Sequence, residues 1–211
     1  MIEKLIVFVE EPSMEKALDK LLPQLVGEVG YQIITFQCKD DLLKNAPARL
    51  KGYPAWLLET SRILILVDRD DDNCIPLKKT LENMAASAGL HTKTNVGPGG
   101  KFSVVNRIVI EELEAWFFGD WQAVIDAYPR VPTNLNKDAK FRDPDAIRGG
   151  TWEAMEKVMK KSGYFKTGLR KCELANAVSA KMVPDRNISR SFKAFIEGLD
   201  AAITYTKSPE A

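Results

Sequence analysis

Apolar residues along this chain fall into two kinds of run. Residues 5–9 (LIVFV) and 63–67 (ILILV) are short and uninterrupted, as expected of parallel strands buried on both faces. Between such runs apolar residues recur at the helical period. Met14, Ala17, Leu18, Leu21, Leu22 and Leu25 mark a helix to about Val26, with Pro12 in front and Ser13 as its N-cap. Residues 31–38 predict a second strand. One or two helices follow over 40–60, interrupted near Pro47 and Pro54, because proline removes a backbone donor and crowds the preceding turn. After the 63–67 strand come a helix over about 75–88, a turn through Gly97, Pro98, Gly99 and Gly100, and a fourth strand over about 102–110. A helix over about 112–128 closes the series, with Trp116 and Trp121 expected against the sheet. The order βαβαβα specifies an α/β fold, a small and mostly parallel sheet flanked by helices.

Beyond Tyr128 the pattern changes. Residues 129–150 carry Pro129, Pro132, Pro144 and the pair Gly149-Gly150, and read as a long irregular connection rather than a packed element. Helices are expected over 151–162, about 170–181 and about 189–204, and a frayed tail over 207–211. The chain thus divides into an α/β domain, 1–128, and a linker with a helical C-terminal extension, 129–211, packed on it.

Composition narrows the classes. At 211 residues the chain can bury a core without covalent staples. Three cysteines in no paired motif and a single histidine, His91, argue for a reducing compartment, the cytoplasm, and against structural zinc. The N-terminal apolar run is too short and too acidic for a signal peptide, and no stretch approaches the roughly 18 apolar residues of a membrane span. Net charge is +1, but from Arg130 on there are 16 Lys/Arg against 10 Asp/Glu, and before it 14 against 19. That asymmetry fits an anionic partner held beside a metal site, and equally a plain surface gradient.

Both of the clearest strands end in carboxylates, VFVEE at Glu10 and Glu11 and ILILVDRDDDN at Asp68, Asp70, Asp71 and Asp72. In open parallel sheets the carboxyl ends of the strands face the ligand crevice, so these acids gather at one rim. Asp68 and Asp70, two residues apart in an extended strand end, point to the same side and can grip one hard cation. Glu10, ending another strand, is placed to bind through water or to accept a proton. An acidic loop can also serve only to cap a helix, here through Asp71, Asp72 or Asn73.

At these residues the chain resembles the Toprim domain shared by topoisomerases, primases and nucleases of the overcoming-lysogenization-defect type. The resemblance is closer to a Toprim-like family of bacterial proteins described only as a domain of unknown function. It rests on VEEPSM (Val9 to Met14), DRD (Asp68 to Asp70), EELEAWF (Glu111 to Phe117) and YFK (Tyr164 to Lys166), and extends to SRSFKAF at Ser189 to Phe195. It implies Glu10 as general acid/base and Asp68 and Asp70 as ligands of Mg²⁺ or Mn²⁺. Glu11 stands where the family pattern has glycine, whose bare backbone approaches a phosphate closely, and Met14 stands where it has an acid.

Glu111 and Glu114, three apart at the expected helix start, would share a face; Glu114 is the candidate for a second metal position. Lys166 and Arg190 are candidates for phosphate-backbone contacts. Residues 97–100 lack the spacing of a phosphate cradle. The leading expectation is a Mg²⁺-dependent phosphodiester-processing enzyme, a nuclease acting on DNA or RNA. The alternative is a non-catalytic subunit that binds nucleic acid or a separate ATPase partner, since the chain has no motor motif. A phospho-acceptor receiver domain ranks last, for want of a lysine ending a fifth strand.

Overall fold

The computed structural model describes residues 1–204, so the expected frayed tail at 207–211 lies outside the described residues. Four strands, β1 (Lys4–Val9), β2 (Gly30–Thr35), β3 (Ser61–Asp68) and β4 (Val104–Val109), form one all-parallel sheet in the order β2-β1-β3-β4. Every residue of β3 is buried, which accounts for its unbroken apolar run: a central parallel strand has no solvent face. Eight α-helices follow in chain order among the described residues: α1 (Pro12–Val26), α2 (Lys39–Gly52), α3 (Cys74–Ser87), α4 (Glu114–Gly119), α5 (Trp121–Ala127), α6 (Thr151–Lys161), α7 (Lys171–Ser179) and α8 (Arg190–Ile203). The α/β fold with a helical C-terminal part is the one the hydrophobic pattern predicts.

Side chains alternate across the sheet, and the two faces build separate cores. Ile6, Phe8, Ile63, Ile65 and Val67 pack with Leu42, Ala46 and Leu50 of α2 and Leu77, Leu81 and Met84 of α3. The opposite face, Leu5, Val7, Val9, Leu64 and Leu66, meets α1 and also α4 to α8, through residues such as Trp116, Met155, Leu174, Phe192 and Phe195. The C-terminal helices therefore share the core of one sheet face, and α7 lies along α1. The face assignment follows from strand order. β1 connects leftward to β2 through α1, the later crossovers run rightward through α2 and α3, and crossovers of one hand then put those helices on opposite faces.

Local details depart from the sequence pattern. α1 begins two residues early, with Glu11 at the N-cap position, so Ser13 lies inside the first turn and its hydroxyl donates back to Glu11. α2 runs uninterrupted through Pro47, because Leu42, Ala46 and Leu50 bury on one stripe and offset the missing backbone bond. β2 stops at Thr35, which leaves Gln37, Cys38 and Lys39 at the sheet's carboxyl end.

The expected helix over 112–128 is two helices. Asp120, with φ −119° and ψ 70°, breaks the chain, and its carboxylate caps α5 by accepting from Ala123 N. Glu111 precedes α4 in a left-handed conformation, φ 61°, so it does not share a helical face with Glu114. The two tryptophans join the core on that sheet face, as expected, and also find aromatic partners there. The Trp116 ring lies 4.9 Å from Phe195 and 5.1 Å from Phe192, and the Trp121 ring stacks on Phe118 at 5.7 Å. Residues 129–150 are irregular, with two 3-10 turns, but they are packed: Val131, Phe141, Asp145 and Ile147 are buried.

Candidate metal centre

The strand order decides where a ligand can sit. Chain direction reverses at β1, from which one crossover leads outward to β2 and the later ones to β3 and β4, so β1 and β3 flank the topological switch point. Their carboxyl ends leave the crevice in which open α/β sheets bind ligands. Glu10 follows the last residue of β1 and Asp68 is the last residue of β3.

Glu10, Asp68 and Asp70 each present an oxygen within 4.8 Å of the others. This acidic group, with Glu10 and Asp68 buried and Asp70 exposed, can hold a metal ion. Glu10 is 6% exposed and Asp68 2%, yet Glu10 Oε2 and Asp68 Oδ1 have no hydrogen-bond partner. A buried carboxylate oxygen left unpaired costs several kcal/mol unless a proton or a cation compensates it. Both groups show that strain in their acidity. Burial first, then the nearby Asp70 charge, raises the Glu10 carboxyl from its ordinary 4.5 to about 8. Burial, followed by the Glu10 charge, likewise holds Asp68 well above its ordinary value.

Backbone strain aims the third acid. Asp70 has φ 48°, a left-handed conformation for a non-glycine residue. It is pinned by Asp70 N donating to Glu111 O at 3.0 Å and Arg69 N to Val109 O at 2.8 Å, while the Arg69 guanidinium pairs with the Glu111 carboxylate. Asn73, not an aspartate, caps α3, accepting from Ile75 N at 2.9 Å. The aspartates are thus released from the capping role open to them in the sequence.

The triad floors a cleft of about 310 Å³ whose cations are Lys39 and Lys171. Lys39 Nζ lies 2.6 Å from both Asp70 Oδ2 and Asp72 Oδ2; burial pulls its pKa down, but those two carboxylates outweigh it and raise the pKa overall. Lys171 Nζ is 3.7 Å from Glu11 Oε2 and 5.7 Å from the Trp152 ring centroid. Asp70 also lines a second cleft of about 600 Å³, with Glu112, Arg148, Gly150 and Trp152. Glu112 ties that cleft to the C-terminal part, its Oε2 accepting from Thr151 N, Thr151 Oγ1 and Trp152 N at the start of α6.

The structure brings Glu10, Asp68 and Asp70 together and leaves the other sequence candidates apart. Glu114 is 1% exposed, with both carboxylate oxygens unpartnered and its pKa pushed by burial to about 7. It feels Lys171 and Glu11 but is not among the three acids whose oxygens converge. Lys166 is exposed. Arg190, also exposed, pairs with Asp143 at 2.8 Å, and neither lines the two clefts. Met14 is packed in the apolar core, and Glu11 serves as the counter-ion of Lys171. Lys39 and Lys171 are the residues that sequence reading missed. Lys39 carried a usable signal, since it follows the carboxyl end of a third parallel strand. Lys171 carried none.

No helix among the described residues is long and apolar enough to cross a membrane. No curated protein and no solved structure matches the chain. A family model described as "Domain of unknown function (DUF4276)" matches residues 9–200, a span that runs from the last residue of β1 into α8 and takes in the whole acidic rim, and the chain belongs to that family.

Proposed function

We propose that this protein is a Mg²⁺-dependent phosphodiester-processing enzyme, a nuclease acting on DNA or RNA. The observation that carries the reading is the pair of orphaned buried oxygens, Glu10 Oε2 and Asp68 Oδ1, on two acids that converge with Asp70 at the switch point of a parallel sheet. An all-oxygen donor set of carboxylates fits a hard cation such as Mg²⁺ or Mn²⁺ rather than zinc or copper. The resemblance of VEEP and DRD to Toprim motifs supports nucleic acid as the partner, and three unpaired cysteines fit a reducing, cytoplasmic setting.

Asp68 and Asp70 would hold the ion, which would supply Lewis acidity at the phosphoryl group and a more acidic bound water. Glu10 would take the proton from the attacking water as the new phosphorus–oxygen bond forms, and return it to the leaving oxygen as the old bond breaks. Its raised pKa suits a proton carrier, and neutralising Asp70 lowers that pKa towards the working range. Lys166 stands exposed, available to a phosphate backbone.

The test is incubation with single- and double-stranded DNA and RNA in Mg²⁺ or Mn²⁺, for wild type, Asp68→Asn and Glu10→Gln. Cleavage by the wild type alone is expected. Equal cleavage by the variants, or none by any protein on any substrate, refutes the assignment.

A further inference from the structure

Lys39 lies just past β2, and its side chain is only 14% exposed. Its ammonium meets four acceptors of one loop: Asp68 O at 3.2 Å, Arg69 O at 3.1 Å, and Asp70 Oδ2 and Asp72 Oδ2 at 2.6 Å. An ammonium has three donors. Hydrogen bonds to Asp68 O, Arg69 O and Asp70 Oδ2 use all three, and Asp72 Oδ2 stands beside them as an ion-pair partner.

A divalent ion on Asp70 would take up that carboxylate's charge. The donor that Lys39 gives to Asp70 would then be free to turn to the ion's open side, and two cations would stand side by side at the mouth of the cleft. Such a pair attracts an anion that can bridge it. A phosphate oxygen bound to an ion on Asp70 is within reach of an ammonium already 2.6 Å from Asp70. Lys171, the other cation of the cleft, is held by Glu11 instead.

We propose that Lys39 is a phosphate-contacting catalytic residue: anchored by Asp68 O and Arg69 O, its ammonium donates to a non-bridging oxygen of the metal-bound phosphate. It thereby takes the electrostatic place that a second divalent ion fills in two-metal sites. The proposal rests on the metal reading above.

The experiment is calorimetric titration with Mn²⁺, then of the Mn²⁺-loaded protein with inorganic phosphate, for wild type, Lys39→Gln, Lys39→Arg and Asp68→Asn. Lys39→Gln should bind Mn²⁺ at least as tightly as wild type, because a neighbouring positive charge is gone. It should bind phosphate roughly tenfold or more weakly, the scale of one charge-assisted hydrogen bond, and Lys39→Arg should recover most of that loss. Wild-type phosphate affinity in Lys39→Gln overturns the proposal. So does loss of Mn²⁺ binding in that variant, which would make the lysine only a support for Asp70.

A second measurement needs no variant. Phosphate added to the Mn²⁺-loaded wild type should protect Lys39 from acylation by acetic anhydride, read by peptide mass spectrometry, and absence of protection counts against the contact. If the wild type takes up no Mn²⁺, or Asp68→Asn takes it up equally well, the metal reading itself fails and the lysine's role falls with it.

Discussion

Two sets of buried carboxylates stand in this molecule, and they are treated in opposite ways. Asp120 accepts from Val183 N at 2.9 Å and from Arg186 Nε and Nη2 at 2.5 and 2.9 Å, besides capping α5. Asp145 accepts from the hydroxyls of Ser189 and Ser191 at 2.8 and 2.9 Å and from Arg190 N at 2.5 Å. Both join the C-terminal part to itself or to α4 and α5, and both have their desolvation offset from within the fold. Glu10, Asp68 and Glu114 are buried as deeply, yet keep four unpartnered oxygens among them. Satisfied acids hold the structure; unsatisfied ones store a cost that only something from outside can relieve.

The largest test of that contrast is to remove a charge from the acids that converge at the rim. Asp68→Asn and Asp70→Asn should each weaken Mn²⁺ binding by on the order of 10²-fold or more while leaving the circular dichroism unchanged, since a ligand charge is lost while the amide oxygen can still accept from Leu113 N at position 68 and from Lys39 at position 70. Retained binding in both variants would break the comparison. Asp120→Ala should do the reverse. By orphaning Val183 N and freeing Arg186, it should cost about 2–3 kcal/mol in urea unfolding, with Mn²⁺ affinity unchanged.

A smaller effect has an unusual sign. Glu10→Gln should stabilise the metal-free protein by about 1–2 kcal/mol at pH 8, because a neutral amide escapes the desolvation of a carboxylate. The same cause sets a pH dependence. An acid whose pKa is higher in the folded than in the unfolded state stays protonated in the fold after the unfolded chain has released its proton, so stability falls as pH rises. For Glu10 the window runs from 4.5 to about 8, and for Glu114 from 4.5 to about 7. The metal-free melting temperature should therefore fall between pH 5 and 8, and Mn²⁺ at pH 8 should restore it. A flat or rising profile would show that the orphaned oxygens are compensated internally. The smallest effect is expected at Arg190→Gln, whose side chain is 73% exposed; it should change stability by less than about 1 kcal/mol and leave Mn²⁺ binding untouched.

Much of this could be read without coordinates, because it is local. An unbroken apolar run has to be a doubly buried strand, and apolar residues at helical spacing bury one helical stripe. The βαβαβα order and the gathering of Glu10, Asp68 and Asp70 follow from those runs and from the rule that parallel strands open at their carboxyl ends. Other features depended on neighbours far along the chain. Pro47 sits in an unbroken helix because the core beneath it supplies what the backbone lacks. The break at Asp120 depends on Arg186 and Val183, more than sixty residues away. Glu111 and Glu114 part company because the chain turns left-handed between β4 and α4.

Which segments are strands, and which acids end them, was legible in the residues alone, since periodicity records how many faces of an element are buried. That β1 and β3 are neighbours, that Lys39 and Lys171 line the cleft beside the acids, and that Arg190 pairs with Asp143 rather than lining the cleft came from long-range packing. Periodicity specifies a buried face but not the partner that buries it, and charge at the cleft depends on which partners meet.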